Sequence, residues 1–211
     1  MTMNAKAFLF DFDGTLVDTM GGFADIAGRV IHERHPEMSF DEARQRYLDT
    51  SGVPFFQQLE IIFPGDPGNA GIASVFEETK KTGFFSQKFH DDVILAINTI
   101  RSRGIIAAVC SNNFQELIDK FVAREGLVFD EVLGFRQGFE KGKAHFEHVM
   151  RKFGLAREEL VFVGDSLKDA EKARLNGIRF VGLCGTFTRD EFTRQDPGTV
   201  TINNIKELMD L

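Results

Sequence analysis

Cysteine is scarce in this 211-residue chain, which has only Cys110 and Cys184. Two are too few for a disulfide scaffold or a cysteine-rich zinc site, and both fall in apolar, strand-like runs that suit core packing. Long hydrophobic runs are missing too: none approaches the roughly 18 residues that a membrane span needs. The N-terminus lacks the basic, then apolar, then small-residue order of a secretory signal, so a cytoplasmic protein is expected, with no membrane partner. Basic blocks are also lacking. Against 32 acidic residues there are 25 Lys and Arg, a formal net charge of -7, and no Lys/Arg block interleaves with aromatics. Nucleic acid is therefore not an expected partner, and an anionic ligand must be drawn in by local cations rather than by the overall field. There is no internal repeat and no low-complexity segment.

What is present is the composition of a soluble globular protein, 43% hydrophobic and 27% charged, long enough for one core plus a small inserted domain. The most informative stretch is KAFLFDFDGTLVDT, Lys6 to Thr19. Ala7 to Phe10 form a short uninterrupted apolar run that reads as a buried strand ending at Asp11. Residues two apart in an extended segment point to one side, so Asp11 and Asp13 can face a single small site with Phe12 turned away. A calcium loop starting at Asp11 would want glycine sixth and glutamate twelfth, where the chain has Leu16 and Gly22.

From Val17 to about residue 85 the pattern is helical. Phe23, Ile26, Ala27, Val30 and Ile31 recur at three- and four-residue spacing until Pro36, and Ser39 with Glu42 forms a capping signal for a second helix to Asp49. Two more helices are expected over 53–63 and 69–81, either side of the turn cluster at Pro64 to Gly68. Phe55, Phe56 and Phe63 read as a core stripe. After Phe85 the texture alternates. Helices at 91–103, 114–125, 143–153 and 168–176 separate apolar strands at 105–110, 132–135, 160–163 and 180–183, with a last edge strand at 200–202. Such alternation with near-continuous apolar strands implies a Rossmann-like parallel α/β sheet sandwiched by helices. Ligands of such sheets bind beyond the carboxyl ends of the strands, where Asp11, Asp13, Ser111 and Asp165 all stand.

These residues, in this order, resemble the haloacid dehalogenase superfamily, specifically its magnesium-dependent phosphatases of the phosphoglycolate phosphatase type. The resemblance runs from end to end: DFDGT at 11–15, a strand ending in Ser111, a lysine at Lys143, and GDSLKD from Gly164 to Asp169. It implies a core of residues 1–16 and 86–211, with a small all-helical cap domain inserted at 17–85. It implies that Asp11 is the nucleophile that forms an aspartyl phosphate, and that Asp13 is the general acid to the leaving oxygen and then the base to water. An aspartate is ordinarily ionised at neutral pH, so an acid role needs a like charge nearby. One at about 4 Å supplies on the order of 4 kcal/mol in an intermediate dielectric, and Asp11 and the incoming phosphate are the sources.

The resemblance further implies Mg2+ held by Asp11, the main-chain carbonyl of Asp13, and Asp165. Thr15 and Asp169 would stand behind these ligands, Asp169 bonding a metal-bound water or the lysine. Ser111 and the main chain near Asn112 would bind phosphate. Lys143 is the expected phosphate clamp because it immediately precedes the helix at Ala144, where anions gather, with Lys141 two residues away as the alternative. His145 and His148, three apart on that helix, lack a third His or a nearby Cys and read as packing or solvent residues rather than metal ligands.

Rival readings are weaker. The string GDSL at Gly164 to Leu167 also marks serine esterases, but Ser166 has no Gly-x-Ser-x-Gly elbow and no histidine follows His148. GFEKGKA at 138–144 lacks the spacing and the Ser or Thr of an ATP loop. Dehalogenases do not use a second aspartate at the position of Asp13, which favours phosphate ester chemistry. A phosphomutase of the β-phosphoglucomutase type would keep every motif. A catalytically silent phosphate-binding or regulatory module would tend to lose Asp11 or Asp13. The expected ligand is a small phosphorylated metabolite, for example phosphoglycolate or a sugar phosphate. The expected assembly is a monomer or homodimer, and the loop at Thr50 to Pro54, with Gly52 at its centre, is the candidate substrate loop of the cap.

Overall fold

Six parallel strands in the order β3-β2-β1-β4-β5-β6 carry the site in the computed structural model, which describes residues 5–210. The strands are β1 (Ala7–Phe10), β2 (Ile106–Phe114), β3 (Glu131–Phe135), β4 (Leu160–Gly164), β5 (Arg179–Leu183) and β6 (Val200–Ile202). The chain winds outward one way through β2 and β3 and the other way through β5 and β6. That reversal leaves a crevice at the carboxyl ends of β1 and β4, where Phe10 lies in register with Val163. The fold is therefore the Rossmann-like α/β sheet that the alternation implied.

The layers follow from strand alternation. Ala7 and Leu9 of β1 join Cys110, Leu133, Leu160 and Phe162 in an apolar layer against Phe146 and Val149 of α7 (Lys143–Phe153) and Ala173 of α8 (Leu167–Leu175). Residues of the other parity face the opposite way. Phe12, just past β1, meets Phe121 of α6 (Gln115–Glu125) edge-on at 5.1 Å. The sheet is thus covered on both faces.

Two compact units divide the chain, one built from the residues up to Val17 with those from Phe89 onward, the other spanning Asp18–Lys88. The second unit holds α1 (Met20–Arg34), α2 (Phe40–Asp49), α3 (Phe55–Ile62) and α4 (Asn69–Phe84), and no strand lies among them. Ser39 accepts a hydrogen bond from the Glu42 amide at 3.2 Å and so caps α2. The expected stripe of Phe55, Phe56 and Phe63 is split. Phe55 is buried against Phe76 at 4.0 Å, Phe56 is 44% exposed, and Phe63 stacks on His35 at 3.9 Å. Neighbouring residues on a helix point about 100° apart, so Phe55 and Phe56 do not share one inward face.

The helix Arg189–Gln195 is too short to show a periodicity in the sequence. Its signal was local: Thr188 and Glu191 form a reciprocal capping box, and Phe192 buries its ring over Gly182, where a Cβ would come within 3.1 Å.

Candidate active site

The carboxyl ends of β1 and β4 are tied together where the site begins: the Asp11 amide donates to the Val163 carbonyl at 2.8 Å. Asp165 follows two residues beyond Val163, and α8 then places Asp169 one turn further on. Carboxylate oxygens of Asp11, Asp165 and Asp169 all lie within 4.8 Å of one another, and all three residues are buried. Ser166 caps α8, accepting from the Asp169 amide at 3.1 Å and donating to Asp169 Oδ2 at 2.6 Å. The GDSL serine is therefore fully buried and occupied in holding Asp169. Gly164 is needed for the same reason, because a Cβ there would lie 2.8 Å from Asp169 Cβ.

The lysine that reaches this cluster is Lys141, and the expectation that Lys143 fills this place is corrected. Lys141 Nζ is buried, 2.8 Å from Asp11 Oδ1 and 2.8 Å from Asp169 Oδ1. Lys143 is 75% exposed on its side chain and its nearest acidic partner is Glu147, at 3.8 Å. The cause is Gly142, whose φ of 122° and ψ of -133° turn the backbone between the two lysines. The residue before the turn faces the carboxylates, and the residue after it opens α7 in solvent. His145 is buried with its ring 4.6 Å from that of Phe139, and His148 pairs with Glu131 at 3.1 Å. Neither histidine is in the carboxylate cluster.

Asp13 lies in a tight turn. Gly14 has φ of 76°, its amide donates to the Val17 carbonyl at 2.8 Å, and the Leu16 and Val17 amides both donate to the Phe12 carbonyl. Across from it, β2 runs on to Phe114 and its register with β3 shifts between Cys110 and Phe114. Gln115 repairs the ladder there: its side chain accepts from the Gly134 amide at 2.8 Å and donates to the Val132 carbonyl at 3.0 Å. The strand end carrying Ser111, Asn112 and Asn113 meets Asp13 through Asn113. Ser111 is fully buried and its Oγ accepts from the Asn113 amide at 3.0 Å, while Asn113 Nδ2 donates to Asp13 Oδ2 at 2.6 Å. Asn112 is half-buried between them, and Thr15 is buried just past the turn.

Charge is the dominant feature. Burial pushes the Asp11 carboxyl up to about 7, with Lys141 opposing and Asp169 adding to the rise. Asp165 is raised well above the usual carboxylate range by burial, Asp11 and Asp169, against a hydrogen bond donated by Thr186. Burial pulls the Lys141 ammonium down, but Asp11 and Asp169 outweigh it and hold it above an ordinary lysine. Three buried carboxylates thus gather around the Lys141 ammonium. A buried all-oxygen donor set whose ionised form calls for a countercharge fits a hard divalent cation such as Mg2+. Asn113 and Thr186 were missed in the sequence. Asn113 had a faint signal as one of three polar residues ending an apolar strand; Thr186 had none, since its role depends on the turn after β5.

Residues 8–183 match the haloacid dehalogenase-like hydrolase family, and the chain belongs to it. It is 26% identical to a phosphoglycolate phosphatase of Photorhabdus laumondii over 97% of this chain and 91% of that protein. In fold it is similar to a haloacid dehalogenase-like hydrolase from Streptococcus pneumoniae, with a TM-score of 0.81 at 17% identity over 100% and 99% of the two chains. It is also similar to CbbY from Rhodobacter sphaeroides, solved with phosphate, with a TM-score of 0.74 at 20% identity over 97% and 96%.

Proposed function

We propose that this haloacid dehalogenase-like phosphatase hydrolyses a small phosphate monoester through an aspartyl phosphate on Asp11. The observation that carries the reading is the buried set of Asp11, Lys141 and Asp169 beside Asp13 at the switch point of the sheet. Asp11 attacks phosphorus, the P–O bond of the ester breaks, and Asp13 gives its proton to the leaving oxygen. Water then attacks the phosphoaspartate, Asp13 takes the proton, and phosphate leaves with Asp11 restored. Lys141 and Ser111 neutralise and orient the phosphoryl oxygens, with the main chain at Asn112 assisting. Asp11, the Asp13 carbonyl and Asp165 would hold Mg2+, which supplies countercharge for a dianionic phosphoryl group. Asp169 holds Lys141, and Thr15 closes the turn behind Asp13.

The helical unit is proposed as the cap that selects the substrate, and the cell compartment as the cytoplasm. Within that unit the loop at Thr50 to Pro54 is braced by side-chain hydrogen bonds. Gly52 has φ of 93°, and Gln58 both accepts from Thr50 Oγ1 at 2.9 Å and donates to the Val53 carbonyl at 3.1 Å. Phosphoglycolate leads the candidate substrates, because the Photorhabdus relative bears that name, with sugar phosphates next. Screening phosphorylated metabolites with Mg2+ tests this reading: turnover of small monoesters is expected, abolished in Asp11→Asn. Turnover by that variant at near wild-type rate would overturn the mechanism.

A further inference from the structure

Asn113 is 2% exposed, and its amide group is asymmetrically used. Nδ2 donates to Asp13 Oδ2 at 2.6 Å, whereas Oδ1 is buried and accepts no hydrogen bond from a protein group among the described residues. A leucine of similar volume would fill the same space without a polar acceptor to satisfy. What asparagine supplies here and an apolar residue would not is the short bond to Asp13.

The donor's main chain is held at two points. Asn113 is fixed by its main-chain bond to Ser111 and by the close approach of β3, since a Cβ on Gly134 would fall 2.9 Å from the Asn113 carbonyl oxygen. Asp13 stands outside the strand, half-buried, on a turn. We propose that Asn113 is the positioning residue for Asp13: by holding Oδ2 it fixes the carboxyl rotamer, and so the direction in which the acid delivers its proton to the leaving oxygen. The inference rests on the reading of Asp13 as the proton donor. The step itself is the one already given, in which the ester P–O bond breaks, a bond from Asp11 to phosphorus forms and the Asp13 proton passes to the leaving oxygen, with no further reactant. Proton transfer needs heavy atoms at about 2.6–3.2 Å, and a displacement of about 1 Å costs on the order of 100-fold.

The test compares esters that differ in their need for a proton. 4-Nitrophenolate departs unprotonated, an alkoxide does not, and kcat/KM covers the steps up to transfer onto Asp11. In Asn113→Leu, kcat/KM for an alkyl phosphate turned over by the wild type is expected to fall about 30-fold or more, and that for 4-nitrophenyl phosphate less than about 3-fold. In an Asp13→Asn background the same substitution is expected to change neither. The Tm of Asn113→Leu is expected to equal or exceed that of the wild type. Asn113→Ala gives the same comparison if the leucine variant does not fold. An equal loss on both esters, or a further loss in the Asp13→Asn background, would overturn the inference. If Asp13→Asn itself showed no difference between the esters, the fault would lie with the reading of Asp13.

Discussion

Lys141 Nζ lies 2.8 Å from Asp11 Oδ1, a buried contact across 130 residues of sequence. A second carboxylate, Asp169, holds the same ammonium at 2.8 Å. Lys141→Arg keeps the charge but not a compact point charge, and its fork does not fit a site shaped for one ammonium. We expect a folded protein whose kcat/KM is reduced about 100-fold or more. Lys143→Ala, by contrast, should stay within about 0.5 kcal/mol of wild-type stability and leave turnover nearly intact. Steady-state kinetics and thermal melts of the two variants check this, and the reverse ranking would return the role to Lys143.

Magnesium should stabilise the fold as well as the reaction. The carboxylates of Asp11, Asp165 and Asp169 converge within 4.8 Å in a buried site, so a cation that binds them in the native state raises its stability, by about 2.7 kcal/mol at 100 times Kd. Melts with increasing Mg2+ should show a rising Tm in the wild type and a much smaller rise in Asp165→Asn. Equal rises in both would remove Asp165 from the ligand set.

Gly164→Ala should injure the site from behind. The added Cβ would lie 2.8 Å from Asp169 Cβ and 2.9 Å from its Oδ2, while Asp169 is pinned by Ser166 and Lys141. Overpacking of this kind costs about 1–3 kcal/mol, or roughly 2–12 °C in Tm for a chain of this size. Calorimetry together with a loss of kcat is the check; an unchanged Tm would mean that α8 shifts freely.

His145 should make the fold acid-sensitive. Burial holds its imidazole from an ordinary 6.5 down to about 3, with Lys141, Lys172 and His148 adding to the fall. Between those values the unfolded chain binds a proton that the folded one does not. Stability is therefore complete above about pH 6.5 and is lost as pH falls toward 3, at up to about 1.4 kcal/mol per pH unit. Urea melts at pH 7 and pH 5 should differ by up to about 2 kcal/mol less in His145→Leu than in the wild type. Identical pH dependence in the two proteins would assign the acid sensitivity elsewhere.

Much of this protein is decided locally. The apolar run of Ala7–Phe10, the alternation after Phe85 and the cap at Ser39 each act over a few residues, so the parallel sheet and the helices at 20–84 are legible in the sequence. The order of motifs likewise brought Asp11, Asp13, Ser111 and Asp165 to one end of the sheet. Tertiary structure alone settled which lysine meets Asp11, because two lysines separated by one glycine look alike until the backbone at Gly142 turns by a φ of 122°. It also settled the partners of Asp13 and Asp165. Asn113 and Thr186 reach them over 100 and 21 residues of sequence, and such hydrogen bonds depend on how strand ends and turns meet in space, which no local pattern of residues encodes.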